Sequence, residues 1–123
     1  MEKNVEISLL LSFYKNILTE RQADTVDLYY NDDLSLSEVG AELGISRQGV
    51  RDNLKRSEAI LYDVESKLGL VERFLGIKSK LSEIDDIIAE IEKAPEARLL
   101  SDNMKRQINR ILTIVAEIND VEI

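Results

Sequence analysis

The chain has 123 residues, 44% of them hydrophobic and 33% charged, with 16 cations against 24 acids and a net charge of −8. It contains no cysteine and no histidine, which excludes disulfides, thiolate metal sites and every catalytic arrangement built on Cys-His, Ser-His or His-metal chemistry. The acidic balance works against non-specific attraction to nucleic acid or anionic lipid, so any such contact must come from a local basic island.

Leu, Ile, Glu, Lys and Ala dominate, a composition that predicts an all-α fold. No run of about 18 apolar residues offers a membrane span. The N-terminal "MEKNVEISLLLSFYKN" has only a short apolar run flanked by Glu, so it does not read as a signal peptide. A cytoplasmic protein without a membrane partner is the expectation.

Six helices are predicted, in two parts. Asn4 is the expected N-cap of the first, with Ile7, Leu10, Leu11, Tyr14, Ile17 and Leu18 at helical spacing. Thr19–Gln22 ("TERQ") is a capping-box pattern opening the second, whose stripe is Ala23, Val26, Tyr29 and Tyr30. Those two tyrosines read as core with a wet hydroxyl rather than as base-stacking rings. "NDD" at 31–33 signals a turn. Ser35–Glu38 ("SLSE") is a second capping box, starting a short helix with Leu36, Val39, Gly40 and Leu43 inside. Gly44 is its expected left-handed C-cap, and Ser46 the N-cap of a fourth helix with Val50, Leu54, Leu61, Val64 and Leu68 inside.

Two helices meeting across "LGIS", with Gly40 leaving room for a close crossing, have the spacing of a helix-turn-helix. Its second helix carries the basic island. Between Ser46 and Ser57, Arg47, Arg51, Lys55 and Arg56 face Asp52 alone, a local charge of +3. Arg47, Gln48, Arg51 and Lys55 are expected opposite the buried Val50 and Leu54. Arg reads guanine bidentately and Gln reads adenine. Lys55 and Arg56, further along, suit phosphates, and the Ser46 N-terminus offers free N–H groups to one. The competing reading is a solvated helix face whose cations complement the helix dipole. The Gly-Ile-Ser context tips the balance to nucleic-acid contact. Gly49 costs about 1 kcal/mol relative to Ala and reads as tolerated near a helix end.

Residues 18–61 resemble the region 4 helix-turn-helix of bacterial sigma factors, through the Leu-Thr opening with Gln22, "LSEVGAELGIS" and "VRDNLKR". The closer resemblance is to the YlxM family, small regulatory helix-turn-helix proteins of Gram-positive bacteria. It rests on "FYKNILTERQ", "LYYNDDLSLSEVG" and "SRQGVRDNLKRSE" and covers about residues 7–75. The sigma resemblance implies base-facing positions for Arg47, Gln48, Arg51 and Asp52. Asp52 departs from the neutral residue more usual in promoter readers. The YlxM resemblance implies a regulatory role in the signal recognition particle (SRP) pathway, an inference from gene neighbourhood.

After a boundary at Leu68, residues 69–123 form the second part. Leu70, Phe74, Ile77, Leu81, Ile84, Ile88 and Ile91 alternate steps of three and four, as do Met104, Ile108, Ile111, Val115 and Ile118 with Ala97. Pro95 suits the first turn of the last helix. The short connection predicts a long antiparallel hairpin. Two helices alone bury too little surface for stability. The seam Phe74, Ile77, Leu81, Ile84, Ile88 and Ile91 with Met104, Ile108, Ile111 and Val115 therefore closes on the first part or on a second copy. A homodimer is the reading adopted. Glu83, Asp86 and Glu90 read as a solvated face rather than a metal site, and no cofactor is expected.

No catalytic constellation emerges: the five glycines are scattered and none precedes a Lys-Ser/Thr pair. Two functions remain. One is a nucleic-acid-binding regulator acting through the Ser46–Arg56 helix on duplex DNA or SRP RNA. The other is a non-DNA-binding accessory factor contacting SRP RNA or SRP proteins. Helix insertion does not suit the deep, narrow major groove of A-form RNA, so RNA contact would use phosphates, loops or bulges.

Overall fold

A computed structural model describes residues 1–120. Among these residues there are six α-helices and no strand: α1 (Lys3–Tyr14), α2 (Glu20–Val26), α3 (Leu36–Leu43), α4 (Arg47–Leu68), α5 (Leu70–Lys93) and α6 (Asp102–Asn119). The chain divides into two units, Met1–Val71 and Glu72–Ile123.

In the first unit, α1 starts at Lys3 after Glu2 and has no side-chain cap, so Asn4 lies inside the first turn instead of capping it. Both predicted capping boxes form. Thr19 accepts from the Gln22 amide at 3.2 Å while Gln22 accepts from the Thr19 amide at 3.0 Å, and Ser35 and Glu38 do the same at 3.1 and 3.0 Å. Each satisfies two otherwise orphaned donors. The second helix does not end as α-helix: Asp27–Asn31 form a π turn, closed by the Asp32 amide donating to the Asp27 carbonyl at 3.1 Å. This π turn carries Tyr29 and Tyr30, both half-buried with ring centroids 5.0 Å apart. The Tyr30 hydroxyl donates to Glu58 at 2.7 Å.

The core of this unit is Ile7, Leu10, Leu11 and Tyr14 from α1, Ala23 and Val26 from α2, Val39 from α3, and Val50, Leu54 and Leu61 from α4. Along α4 the predicted inner face fades: Val64 is half-buried and Leu68 is 58% exposed. Leu68 sits in the last turn, where periodicity no longer guarantees a covering neighbour. Gly69, at φ 63°, then breaks the helix and α5 begins at once.

In the second unit, Pro95 does not open the last helix. It starts a 3-10 turn, Pro95–Leu99, that holds Ala97. The last helix begins instead behind Ser101, whose hydroxyl accepts from the Met104 amide at 3.1 Å, a stronger start signal than Pro95 alone. Helices α5 and α6 run antiparallel, with the Lys78 ammonium donating to the Asn119 carbonyl at 2.7 Å and to its side-chain oxygen at 3.2 Å. At the other end Glu92 and Lys105 line one cavity with Ala97, Leu100, Ile108 and Asn109.

The ten residues predicted as a single dimerisation seam fall into two groups. Leu81, Ile88 and Val115 are buried, and Phe74 and Ile108 half-buried. Ile77, Ile84, Ile91, Met104 and Ile111 are exposed, joined by Ile87, Ile114 and Ile118. A pattern of alternating threes and fours identifies an apolar stripe but not which side of it the partner helix covers.

Candidate nucleic-acid interface

The turn between α3 and α4 is fixed by two glycines acting differently. Gly44 takes φ 70°, and its amide donates back to the Gly40 carbonyl. The Ile45 amide donates to that same carbonyl at 3.0 Å, which closes the end of α3. At Gly40 the constraint is space: a Cβ there would lie 2.7 Å from the Ile45 carbonyl oxygen and 3.6 Å from the Arg47 amide nitrogen. The backbone entering α4 thus passes directly over Gly40. Arg21 adds a brace by donating to the Leu43 carbonyl at 3.2 Å. Nothing in the spacing of the sequence marks that contact.

Helix α4 then starts behind Ser46, whose hydroxyl accepts from the Gly49 amide at 3.0 Å. A Cβ on Gly49 would sit 3.2 Å from that hydroxyl, so this glycine lies in a tighter place than helix-end tolerance implies. Val50 and Leu54 are buried. All seven sequence-predicted contact residues, Ser46, Arg47, Gln48, Arg51, Asp52, Lys55 and Arg56, are exposed. Among the described residues, Arg47, Arg51, Lys55 and Arg56 take part in no ion pair.

Two features qualify this basic face. The Gln48 amide donates to the Asp52 carboxylate at 3.0 Å, which occupies the side chain best suited to adenine. Arg47 borders a groove that also holds Asp33 and Glu38. Glu38 is held below the usual carboxylate range by the Ser35 amide, which donates to its carboxylate, and by the Ser35 side chain. The island is a row of cations interrupted by carboxylates, a surface that approaches a polyanion along particular directions only.

Behind it, Glu58 on α4 ties the unit together. It accepts from Tyr30 and pairs with Lys3 at 2.9 Å. Burial, then the Glu58 carboxylate, raise Tyr30 well above the ordinary tyrosine pKa, and Glu58 raises Lys3 by hydrogen bonding and charge. Glu58 thus joins an exposed Lys3 to a half-buried Tyr30.

Among the described residues no helix is long and apolar enough to cross a membrane. The family model described as "Putative helix-turn-helix protein, YlxM / p13 like" matches residues 1–109, well beyond Leu75. A UPF0122 protein of Acetivibrio thermocellus is 45% identical over 115 residues, covering 94% of this chain and 98% of that protein. Similar relatives occur in Shouchella clausii, at 38% identity over 86% of this chain and 97% of the relative, and in Bacillus thuringiensis, at 40% over 78% and 87%. With the helix-turn-helix geometry in place and the match spanning nearly the whole chain, this protein belongs to the UPF0122 family of YlxM/p13-like helix-turn-helix proteins.

Proposed function

We propose that the protein is a nucleic-acid-binding regulator that acts by binding rather than catalysis, as a homodimer in the cytoplasm. The first turns of α4 are its contact element. What supports this reading is the exposure of Arg47, Arg51, Lys55 and Arg56 without an ion-pair partner among the described residues, on a helix whose entry is fixed by Gly40 and Gly44. Unpaired cations on a rigid helix lose little ordering entropy when they meet phosphates. Arg47 and Arg51 are assigned to base edges; Lys55, Arg56 and the Ser46 N-terminus are assigned to the backbone.

Specific binding should weaken by about 1–3 kcal/mol in Arg47→Ala or Arg51→Ala. Lys55→Ala should weaken all sequences alike and flatten the dependence on salt. Gel-shift titration at two salt concentrations, against promoter-like duplex, random duplex and SRP RNA, measures both. Unchanged binding in a folded Arg47/Arg51/Lys55 triple-alanine variant would sink the assignment.

A second reading has its own support. The Gln48–Asp52 hydrogen bond, the carboxylates beside Arg47 and the net charge of −8 all work against groove reading. They favour an accessory factor that contacts SRP RNA or SRP proteins, in keeping with the pathway that the family resemblance implies. Retention of SRP RNA or protein binding by the triple-alanine variant, with no duplex binding by the parent, would select it.

A further inference from the structure

The second unit carries two parallel sets of apolar rows, and only one set is used within it. In α5, Leu81 and Ile88 are buried, while Ile77 and Ile84, each four residues earlier, are 47% and 38% exposed. In α6, Val115 is buried and Ile108 half-buried, while Ile111 and Met104, again four residues earlier, are 45% and 52% exposed. The angular offset from buried row to exposed row is therefore the same in both helices. Reversing a helix reverses the sense in which that offset turns, and its seam then faces the other way. Both exposed rows of an antiparallel pair consequently lie on one side of the hairpin.

That side is a single face. Ile77, Ile84 and Ile91 recur every seven residues on α5, and Met104, Ile111 and Ile118 do the same on α6. Lys78 bonded to Asn119, and Glu92 and Lys105 lining one cavity, set a register that brings Ile77 to within about half a turn of Ile118, Ile84 of Ile111 and Ile91 of Met104. Three apolar layers result, widened by Ile87 and Ile114 at 50% and 46% exposure. A seven-residue repeat is the spacing at which helices pack side chains into one another's gaps along their length.

The rim discriminates between occupants. Glu83 directly precedes Ile84, and Arg110 directly precedes Ile111, so they flank the central layer on opposite edges with opposite charge, although Glu83 also lies 3.9 Å from the exposed Lys80 ammonium. If two copies stack with α5 over the other copy's α6, each Glu83 shares an edge with an Arg110 about one helical turn along the axis, within reach of the two long side chains. If α5 lies over α5, Glu83 meets Glu83 and Arg110 meets Arg110. The first arrangement brings unlike charges to each edge, and the second brings like charges together.

We propose that a second copy of this chain covers this face, with each α5 lying antiparallel over the other copy's α6 in a four-helix bundle. The inference rests on the homodimer reading above and adds its contact surface and its orientation; nucleic-acid binding plays no part in it. The buried row of Leu81, Ile88 and Val115 holds each hairpin, and the exposed row joins two of them.

Sedimentation equilibrium on the full chain tests each level separately. The parent is expected to be a dimer at micromolar concentration. Ile84→Glu, an exposed position that leaves the hairpin seam intact, is expected to be monomeric with unchanged helical circular dichroism. Glu83→Arg and Arg110→Glu should each weaken the dimer roughly tenfold, because two symmetry-related pairs become repulsive. The double variant Glu83→Arg/Arg110→Glu should recover the parent's affinity. A monomeric parent overturns the dimer reading and the proposal with it. A dimeric parent whose Ile84→Glu variant stays dimeric overturns the face but not the dimer. Single reversals that leave the affinity unchanged overturn the crossed arrangement in favour of like helices stacked on each other.

Discussion

Gly40 and Gly44 stand four residues apart and are required for different reasons. At Gly44 a Cβ would meet open space, and only φ 70° resists substitution. At Gly40 the backbone of Ile45 occupies the place of a Cβ. Gly44→Val should therefore destabilise the first unit, and Gly44→Asn should recover part of that loss, since asparagine tolerates the left-handed region. Gly40→Ala should cost about 1–3 kcal/mol, the range for forcing a methyl into a filled position. Urea-denaturation midpoints measure all three. A Gly40→Ala variant as stable as the parent would mean that α4 crosses α3 at a greater distance. The need for small residues was legible from "EVGAELGIS", but only the tertiary structure separates the steric glycine from the conformational one.

At the scale of elements, α5 begins in an unusual way. Its preceding residue is Gly69, which has no side chain to cap a helix. The missing acceptors come from elsewhere in the first unit: the Leu70 amide donates to the Tyr14 hydroxyl at 3.2 Å, and the Val71 amide donates to Glu65 at 3.0 Å. The Tyr14 hydroxyl in turn donates to the same Glu65 oxygen at 2.5 Å. Tyr14, from α1, is only 2% exposed, so its hydroxyl has no water to turn to. Tyr14→Phe should cost about 1–3 kcal/mol through the donor and acceptor left unsatisfied. It should also speed hydrogen exchange at the Leu70 amide. An unchanged exchange rate there would show that α5 caps itself. Local capping signals predicted the starts of α2, α3 and α4; Pro95 misplaced the start of α6, which Ser101 caps, and a cap supplied from 56 residues away leaves no local pattern.

At the scale of the whole molecule, the first unit holds four side chains with raised pKa values, Lys3, Tyr14, Tyr30 and Tyr62. Tyr14, Tyr30 and Tyr62 are raised by burial first, then by Glu65, Glu58 and Glu6 respectively. Lys3 is raised by Glu58. A group whose folded pKa exceeds its unfolded value contributes stability below the unfolded pKa and loses it as pH rises through the folded one. The first unit should therefore hold its full stability up to about pH 10, the ordinary tyrosine pKa, and lose it progressively above. Denaturation at pH 8 and at pH 11 should show the drop, and Tyr30→Phe should shrink it. An alkaline midpoint equal to the neutral one would mean that these hydroxyls ionise freely in the folded state.

The sequence by itself determined what depends on neighbours along the chain. The all-α class follows from composition, the capping boxes at Thr19 and Ser35 from residues three apart, and the left-handed Gly44 and the cap Ser46 from the chemistry of a helix end. The exposed basic face of α4 follows from period alone once Val50 and Leu54 are placed inside. Tertiary structure decided whatever depends on a partner distant in sequence. It brought Asp33 and Glu38 to the groove that Arg47 borders, handed Tyr30 to Glu58, and divided one apolar stripe into a buried row and an exposed one. The physical reason is that periodicity specifies the direction in which a side chain leaves its helix, while burial and charge are decided by what meets it there.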